Sequence, residues 1–279
     1  MRKSERPNRE QVGIRMNIPS DVAASREDLY FTEMGSGQPL LLVHGLMVTG
    51  HMFAKVAEPF AKRHRVIMPD LRGHGRSRTL PPPHTVAQLA ADLARLLDRL
   101  GIESTAVLGY SQGGAVAQQF AIDYPERCTR LVLGCTYAYN MSSPRERLEG
   151  RVVPYLLRLL GMQRFAKLIF AVGFKNAPNI PRDWLVELMA NQDQATMMTA
   201  WKEAMAFDSR PRLAQIKCPT LIIAAANDEA VPFHHAKMLH EGVAESQLVV
   251  VPNASHALIW THPEALVRQT EDFLAAASH

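Results

Sequence analysis

The 279 residues carry 31 lysines and arginines against 27 aspartates and glutamates, a formal net charge of +4, with 47% hydrophobic and 21% charged residues. That composition suits a folded globular chain and excludes disorder away from the ends. Arg2, Lys3, Arg6, Arg9 and Arg15, opposed by Glu5 and Glu10, hold three of the four net charges, so the body of the chain is near neutral and lacks the basic stripe of a nucleic-acid binder.

Residues 1–28 are polar and charged and are expected to form an N-terminal arm. They lack the apolar stretch of a signal peptide. No apolar run approaches the length of a membrane span, so no integral membrane segment is expected. Cys128, Cys135 and Cys218 are odd in number and have no metal-type spacing. They read as thiols of a reducing compartment, and a cytoplasmic location follows by default.

From Leu29 the pattern changes. Leu29–Thr32 predicts a strand, 35–37 (Gly-Ser-Gly) a turn, and Leu40–Val43 a strand buried on both faces. Arg65–Met68 and Ala106–Leu108 predict further strands, with a helix over 86–100 between them. Leu89, Leu93, Leu96, Leu97 and Leu100 share one face of that helix, Thr85 with Gln88 forms a capping-box pattern, and Gly101 stands where a helix ends. A second helix runs from Gln112 to Tyr124, ahead of Pro125, and Leu131–Leu133 predicts the next strand. Strand–helix alternation with short connections predicts a mostly parallel, doubly wound α/β sheet.

Residues 137–210 break the rhythm with helical patterning and Met141, Met162, Met189, Met197, Met198 and Met205. Thr220–Ala224 and Leu248–Val251 then resume the sheet, and a helix over 263–277 closes the chain, with Thr261 and Glu264 as a second capping-box pattern. The expected organisation is an α/β core over 29–136 and 211–279, interrupted by a helical cap over 137–210. Within that insertion, 150–175 holds Arg151, Arg158, Arg164, Lys167 and Lys175 and no acidic residue. Such a basic amphipathic stretch can lie on a membrane surface. Here it reads first as a cap helix pair with solvated charges and with the methionines as a pliable wall over a site.

Gly109-Tyr110-Ser111-Gln112-Gly113 matches G-x-S-x-G between a predicted buried strand and a predicted helix. A sharp strand-to-helix turn exposes the Ser111 hydroxyl and leaves the Gln112 N–H at a helix N-terminus, aimed at developing negative charge. Together with Val43-His44-Gly45-Leu46 and the stretch Asp70–Ser77 (Asp-Leu-Arg-Gly-His-Gly-Arg-Ser), this turn resembles the α/β-hydrolase superfamily, and residues 213–279 fit the same pattern. Among its subgroups the chain is similar to small-molecule esterases, enol-lactonases and cofactor-free haloperoxidase-like enzymes.

The resemblance implies that the loop opened by His44 and Gly45 supplies a second oxyanion donor, the Leu46 backbone N–H, beside that of Gln112. His44 itself reads as a buried brace. A serine nucleophile needs a base oriented by an acid. The family match puts the base at His256, in the loop after the last strand. His51, His64, His84 and His262 lie at predicted helix ends or turns, His74 reads as structural, and His234, His235 and His240 share one expected surface helix. For the acid, the family pattern is an aspartate at a strand end with a proline four residues later, which Asp228 and Pro232 match; Glu229, next to it, stays open. The family's other acid position is empty, because 134–140 contains no carboxylate.

No His, Cys, Asp or Glu group has metal-ligand spacing and no G-x-G-x-x-G or P-loop occurs, so neither metal nor cofactor is expected. The expected activity is hydrolysis of small to medium apolar carboxylic esters or lactones through an acyl group on Ser111. C–C bond hydrolysis or perhydrolase and haloperoxidase-like chemistry on the same triad are the alternatives. A small-molecule receptor with vestigial hydrolysis is the reading outside the enzyme class.

Overall fold

In a computed structural model the described residues are 28–172, Ala177 and 180–276. The expected arm, apart from Asp28, and Lys175 lie outside them. The sheet has seven strands: β1 (Phe31–Met34), β2 (Gln38–Val43), β3 (His64–Pro69), β4 (Thr105–Tyr110), β5 (Cys128–Gly134), β6 (Thr220–Ala225) and β7 (Ser246–Val251). Their order is β1-β3-β2-β4-β5-β6-β7, with β1 antiparallel to β3 and every other pairing parallel. The doubly wound α/β expectation holds, with β1 starting two residues later than the sequence suggests.

The apolar run of β2 explains the layering. Successive side chains of a strand point to opposite faces. Leu40 and Leu42 pack into one core with α1 (Ala54–Ala61) and α9 (Pro263–Ala275). Leu41 and Val43 pack into the other with α2 (Val86–Arg99), α3 (Gln112–Asp123) and α7 (His234–Gly242). These four residues of β2 are fully buried, as a central parallel strand covered on both sides must be.

The local signals of α2 are partly realised. Thr85 Oγ1 accepts from Gln88 N at 3.2 Å, while the Gln88 side chain turns to Asp92 instead of closing the box. Gly101 takes φ +65°, and Ile102 N returns to Leu97 O at 2.9 Å. The Thr261–Glu264 box does not form. Thr261 ends the short helix α8 (Leu258–Thr261), its hydroxyl donates to Ala257 O, and α9 starts at Pro263 behind an N-cap His262 that makes no side-chain cap.

Between β5 and β6 the chain leaves the sheet and forms α4 (Pro144–Val172), α5 (Arg182–Ala190) and α6 (Gln194–Ala206). Gly161, at φ +71°, breaks α4 into two helical stretches. The segment starts and ends on one spot: Tyr139 bridges Asp208, and Ser209 N donates to Ala138 O at 3.0 Å. A full capping box opens α4. Glu146 N donates to Ser143 Oγ, and Glu146 Oε2 accepts from Ser143 N at 2.9 Å. Among the described residues no helix is long and apolar enough to cross a membrane.

Candidate active site

Parallel strands deliver their loops to one edge of a sheet, at the strands' C-terminal ends. The loop at 44–47 follows β2, Ser111 follows β4, Asp228 follows β6 and His256 follows β7, so four distant segments meet there.

Ser111 holds φ 56° and ψ −124°, a conformation that L-residues rarely adopt. The surroundings enforce it. Ser111 N donates to Gly134 O at 2.9 Å, and Thr136 Oγ1 donates to Ser111 O at 2.6 Å. The flanking glycines permit the turn, since a Cβ on Gly113 would run into the Val43 carbonyl and one on Gly109 into the Gly113 carbonyl. The turn places the Ser111 hydroxyl 3.2 Å from His256 Nε2. On the far side of the ring, His256 Nδ1 lies 2.8 Å from Asp228 Oδ2.

Asp228 is held rigidly. Its Oδ1 accepts from Ala230 N at 3.0 Å and Val231 N at 2.7 Å, and its side chain is 1% exposed. Glu229 is exposed and lines the cavity. The structure thus gives the His256 contact to Asp228. Burial pulls the His256 imidazole down from 6.5, while the charge and hydrogen bond of Asp228 raise it more, and the net direction is upward.

Leu46 lines the cavity next to Ser111, and Gln112 opens α3 immediately behind it, which brings both expected oxyanion donors to the serine's neighbourhood. The loop before Leu46 is braced by two buried histidines in edge-to-face contact, His44 and His74. His44 Nε2 accepts from Leu71 N at 2.9 Å, and His74 Nε2 accepts from Met47 N at 3.3 Å. Burial drives His44 well below its ordinary range and His74 to about 4, so both stay neutral. Asp70 ties the same region together by accepting from Gly50 N at 3.0 Å and Arg76 N at 2.9 Å.

Two residues of the site carry no signal in the motif. Tyr110 Oη donates to the His256 carbonyl at 2.8 Å, tying the loop of His256 to the residue beside Ser111. Cys135, at φ 46° in the segment without a carboxylate, sits against Asp228 and Tyr110, and burial with the Asp228 charge pushes its thiol well up. His235 departs from the expected surface helix. It is fully buried, with Nε2 3.0 Å from Glu146 Oε1, and it joins α7 to α4. Among the described residues, two groups come close enough to share an ion, Cys135–Asp228–His256 and Glu146–His234–His235. Both are assembled from distant segments, which linear spacing could not reveal.

Over Ser111 and His256 lies a cavity of about 500 Å³, walled largely by Leu46, Val48, Val153, Leu156, Ile169 and Trp260. Of the six methionines of the insertion, Met189 and Met205 line it, and Met47 and Met52 of the core join them. Met162 and Met197 are buried in packing, and neither they nor Met141 and Met198 reach the cavity wall.

The family model described as alpha/beta hydrolase fold matches residues 38–170, and one described as TAP-like protein matches 187–279. A protein of Azorhizobium caulinodans named for carbamate hydrolysis (RutD) is 30% identical, covering 85% of this chain and 91% of its own. The chain belongs to the α/β-hydrolase family. Within this family of hydrolases, the pimeloyl-[acyl-carrier protein] methyl ester esterase of Chromobacterium violaceum is 28% identical over 88% of this chain and 98% of its own. The solved structure of a thermophilic esterase from Thermogutta terrifontis is 30% identical, superposes with a TM-score of 0.78, and covers 88% of this α/β-hydrolase and 92% of its own chain.

Proposed function

We propose that this α/β-hydrolase is a serine esterase or lactonase acting on small to medium, apolar carboxylic esters or lactones. The observation that carries this reading is the Ser111–His256–Asp228 relay, at 3.2 and 2.8 Å, opening on an apolar cavity of about 500 Å³. In this reading His256 takes the Ser111 proton as the oxygen attacks the carbonyl, and Asp228 fixes the Nδ1–H tautomer and stabilises the imidazolium. The Leu46 and Gln112 N–H groups hold the oxyanion, each contributing about 3–4 kcal/mol to the transition state. His256 returns the proton to the leaving alcohol, and water releases the acyl group by the same route.

The segment 137–210 serves as the cap: Val153, Leu156, Ile169, Met189 and Met205 give the acyl or alcohol portion an apolar surface. The esterases among the relatives support ester substrates. The loop Gly45-Leu46-Met47 lacks additional glycines, which weighs against C–C bond hydrolysis.

A fluorophosphonate probe tests the nucleophile. It is expected to label Ser111 and nothing in Ser111→Ala, whose kcat on p-nitrophenyl esters should drop on the order of 10⁶-fold. Undiminished turnover in that variant would remove the mechanism. Turnover that stops after one acyl equivalent in the wild type would favour a receptor.

A further inference from the structure

We propose that the outer face of α4 docks on an anionic lipid surface. Leu148, Val152, Tyr155 and Leu159 follow one another at spacings of four, three and four, which puts them on one face of the helix. They are 62%, 41%, 78% and 75% exposed, and they form the longest run among the exposed large hydrophobic side chains of the described residues. A surface helix ordinarily turns such a stripe inward. Here the inward stripe exists as well, since Val153, Leu156 and buried Leu157 face the cavity and core from the other side. The helix is therefore apolar twice over, and packing within the chain explains one face only.

Charge identifies what the second face meets. Exposed Arg147, Arg151 and Arg158 lie along one edge of the stripe. Arg164 and Lys167 are exposed beyond the Gly161 break, next to Leu168, which is 37% exposed. On the other edge Arg145 is neutralised by Glu149 at 2.7 Å. From Gly150 to Val172 there is no acidic residue. An apolar stripe edged by uncompensated arginines matches a helix lying in the headgroup layer of an anionic membrane, apolar side chains inserted and guanidinium groups at the phosphates. Tyr155, an amphipathic ring, suits that boundary.

A second copy fits less well. An antiparallel twofold pairing of this face would set one arginine row against the other, and a parallel one would offer that row only Glu149, which Arg145 already holds. The chain's own first residues fit less well for the same reason, because Arg2, Lys3, Arg6, Arg9 and Arg15 repeat the charge.

The test is co-sedimentation of the full chain with phosphatidylcholine vesicles doped with phosphatidylserine, against pure phosphatidylcholine, at low and high salt. Binding is expected to the doped vesicles only, and to weaken with salt. Arg151→Gln with Arg158→Gln should lose about 25-fold, at about fivefold per basic residue. Tyr155→Ser with Leu159→Ser should lose more than tenfold by removing inserted apolar surface. None of these residues lines the cavity, so p-nitrophenyl acetate turnover should stay at the wild-type level in both variants, which also reports that they fold. Ser111→Ala should bind vesicles like wild type, so docking and the acyl-transfer reading fail separately. Failure to sediment with doped vesicles overturns the proposal, as does equal binding to neutral ones. So does sedimentation velocity showing a dimer that the Tyr155/Leu159 variant dissolves, or vesicle binding that emerges only after residues 1–27 are removed.

Discussion

Replacing Asp228 by asparagine tests the relay at the point where geometry makes the sharpest demand. The Asp228 carboxylate accepts from Ala230 N and Val231 N through Oδ1 and meets His256 Nδ1 through Oδ2 at 2.8 Å. An asparagine that keeps the two backbone bonds must turn its NH₂ toward Nδ1. The ring then accepts there, carries its proton on Nε2, and faces the Ser111 hydroxyl as a donor instead of a base. The expected loss in kcat on a p-nitrophenyl ester is on the order of 10⁴, equivalent to about 5 kcal/mol of transition-state stabilisation. Glu229→Gln changes an exposed residue of the cavity lining and should stay within about threefold of wild type.

The pH profile gives a second readout. Asp228 raises the His256 imidazole above 6.5, and only the neutral ring is a base, so wild-type kcat/KM should climb with pH through an inflection above 6.5. In Asp228→Asn the upward push is gone and burial remains, so the inflection of the residual activity should fall below 6.5. An Asp228→Asn enzyme within tenfold of wild type, or one with an unmoved inflection, would refute this assignment.

Met189→Ala and Met205→Ala should shift chain-length preference toward bulkier esters while acetate turnover changes about twofold or less, and Met198→Ala, away from the cavity, should leave the preference unmoved. Tyr110→Phe removes the bond to the His256 carbonyl and should lower kcat more than it raises KM, with a stability loss of about 1 kcal/mol by urea titration. His74 is buried neutral and titrates at about 4 when folded, so below 6.5 the unfolded chain binds a proton that the folded chain refuses. Stability should therefore fall with falling pH, by about 2 kcal/mol between pH 7 and pH 5 from this residue. A His74→Gln variant should show a shallower slope over that window.

The sheet was legible because parallel strands buried on both faces write themselves as unbroken apolar runs, Leu40–Val43 being the plainest. Ser111 was legible because its strained turn demands glycines at 109 and 113, and small residues at fixed offsets survive in a linear reading. His235 was not. Its spacing with His234 and His240 reads as a surface helix, and its buried partner Glu146 stands 89 positions earlier, which no local pattern contains. The capping boxes fail and succeed for a similar reason. Thr261 and Glu264 have the right letters, but α8 already holds the threonine hydroxyl, whereas Glu146 takes the bond from Ser143 N on one oxygen and leaves the other to His235, so its full box closes. The methionines divide on the same ground, since helical spacing does not say which face of α5 or α6 turns toward the serine.

The backbone contact between Ala138 and Ser209 has a consequence for how such a chain diversifies. Ser209 N reaches Ala138 O at 3.0 Å, Ser209 Oγ holds Gln118 Oε1 at 2.7 Å, and Tyr139 bridges Asp208. The two stems of the 68-residue stretch between Tyr139 and Asp208 are thus fastened to the core and to each other. Closing a loop costs free energy that grows only logarithmically with its length. A socket whose rims already touch accepts inserts of many lengths at nearly the same conformational cost. Substrate range can then be rewritten between those rims by exchange, shortening or lengthening, while the serine, histidine and aspartate keep the positions the sheet gives them.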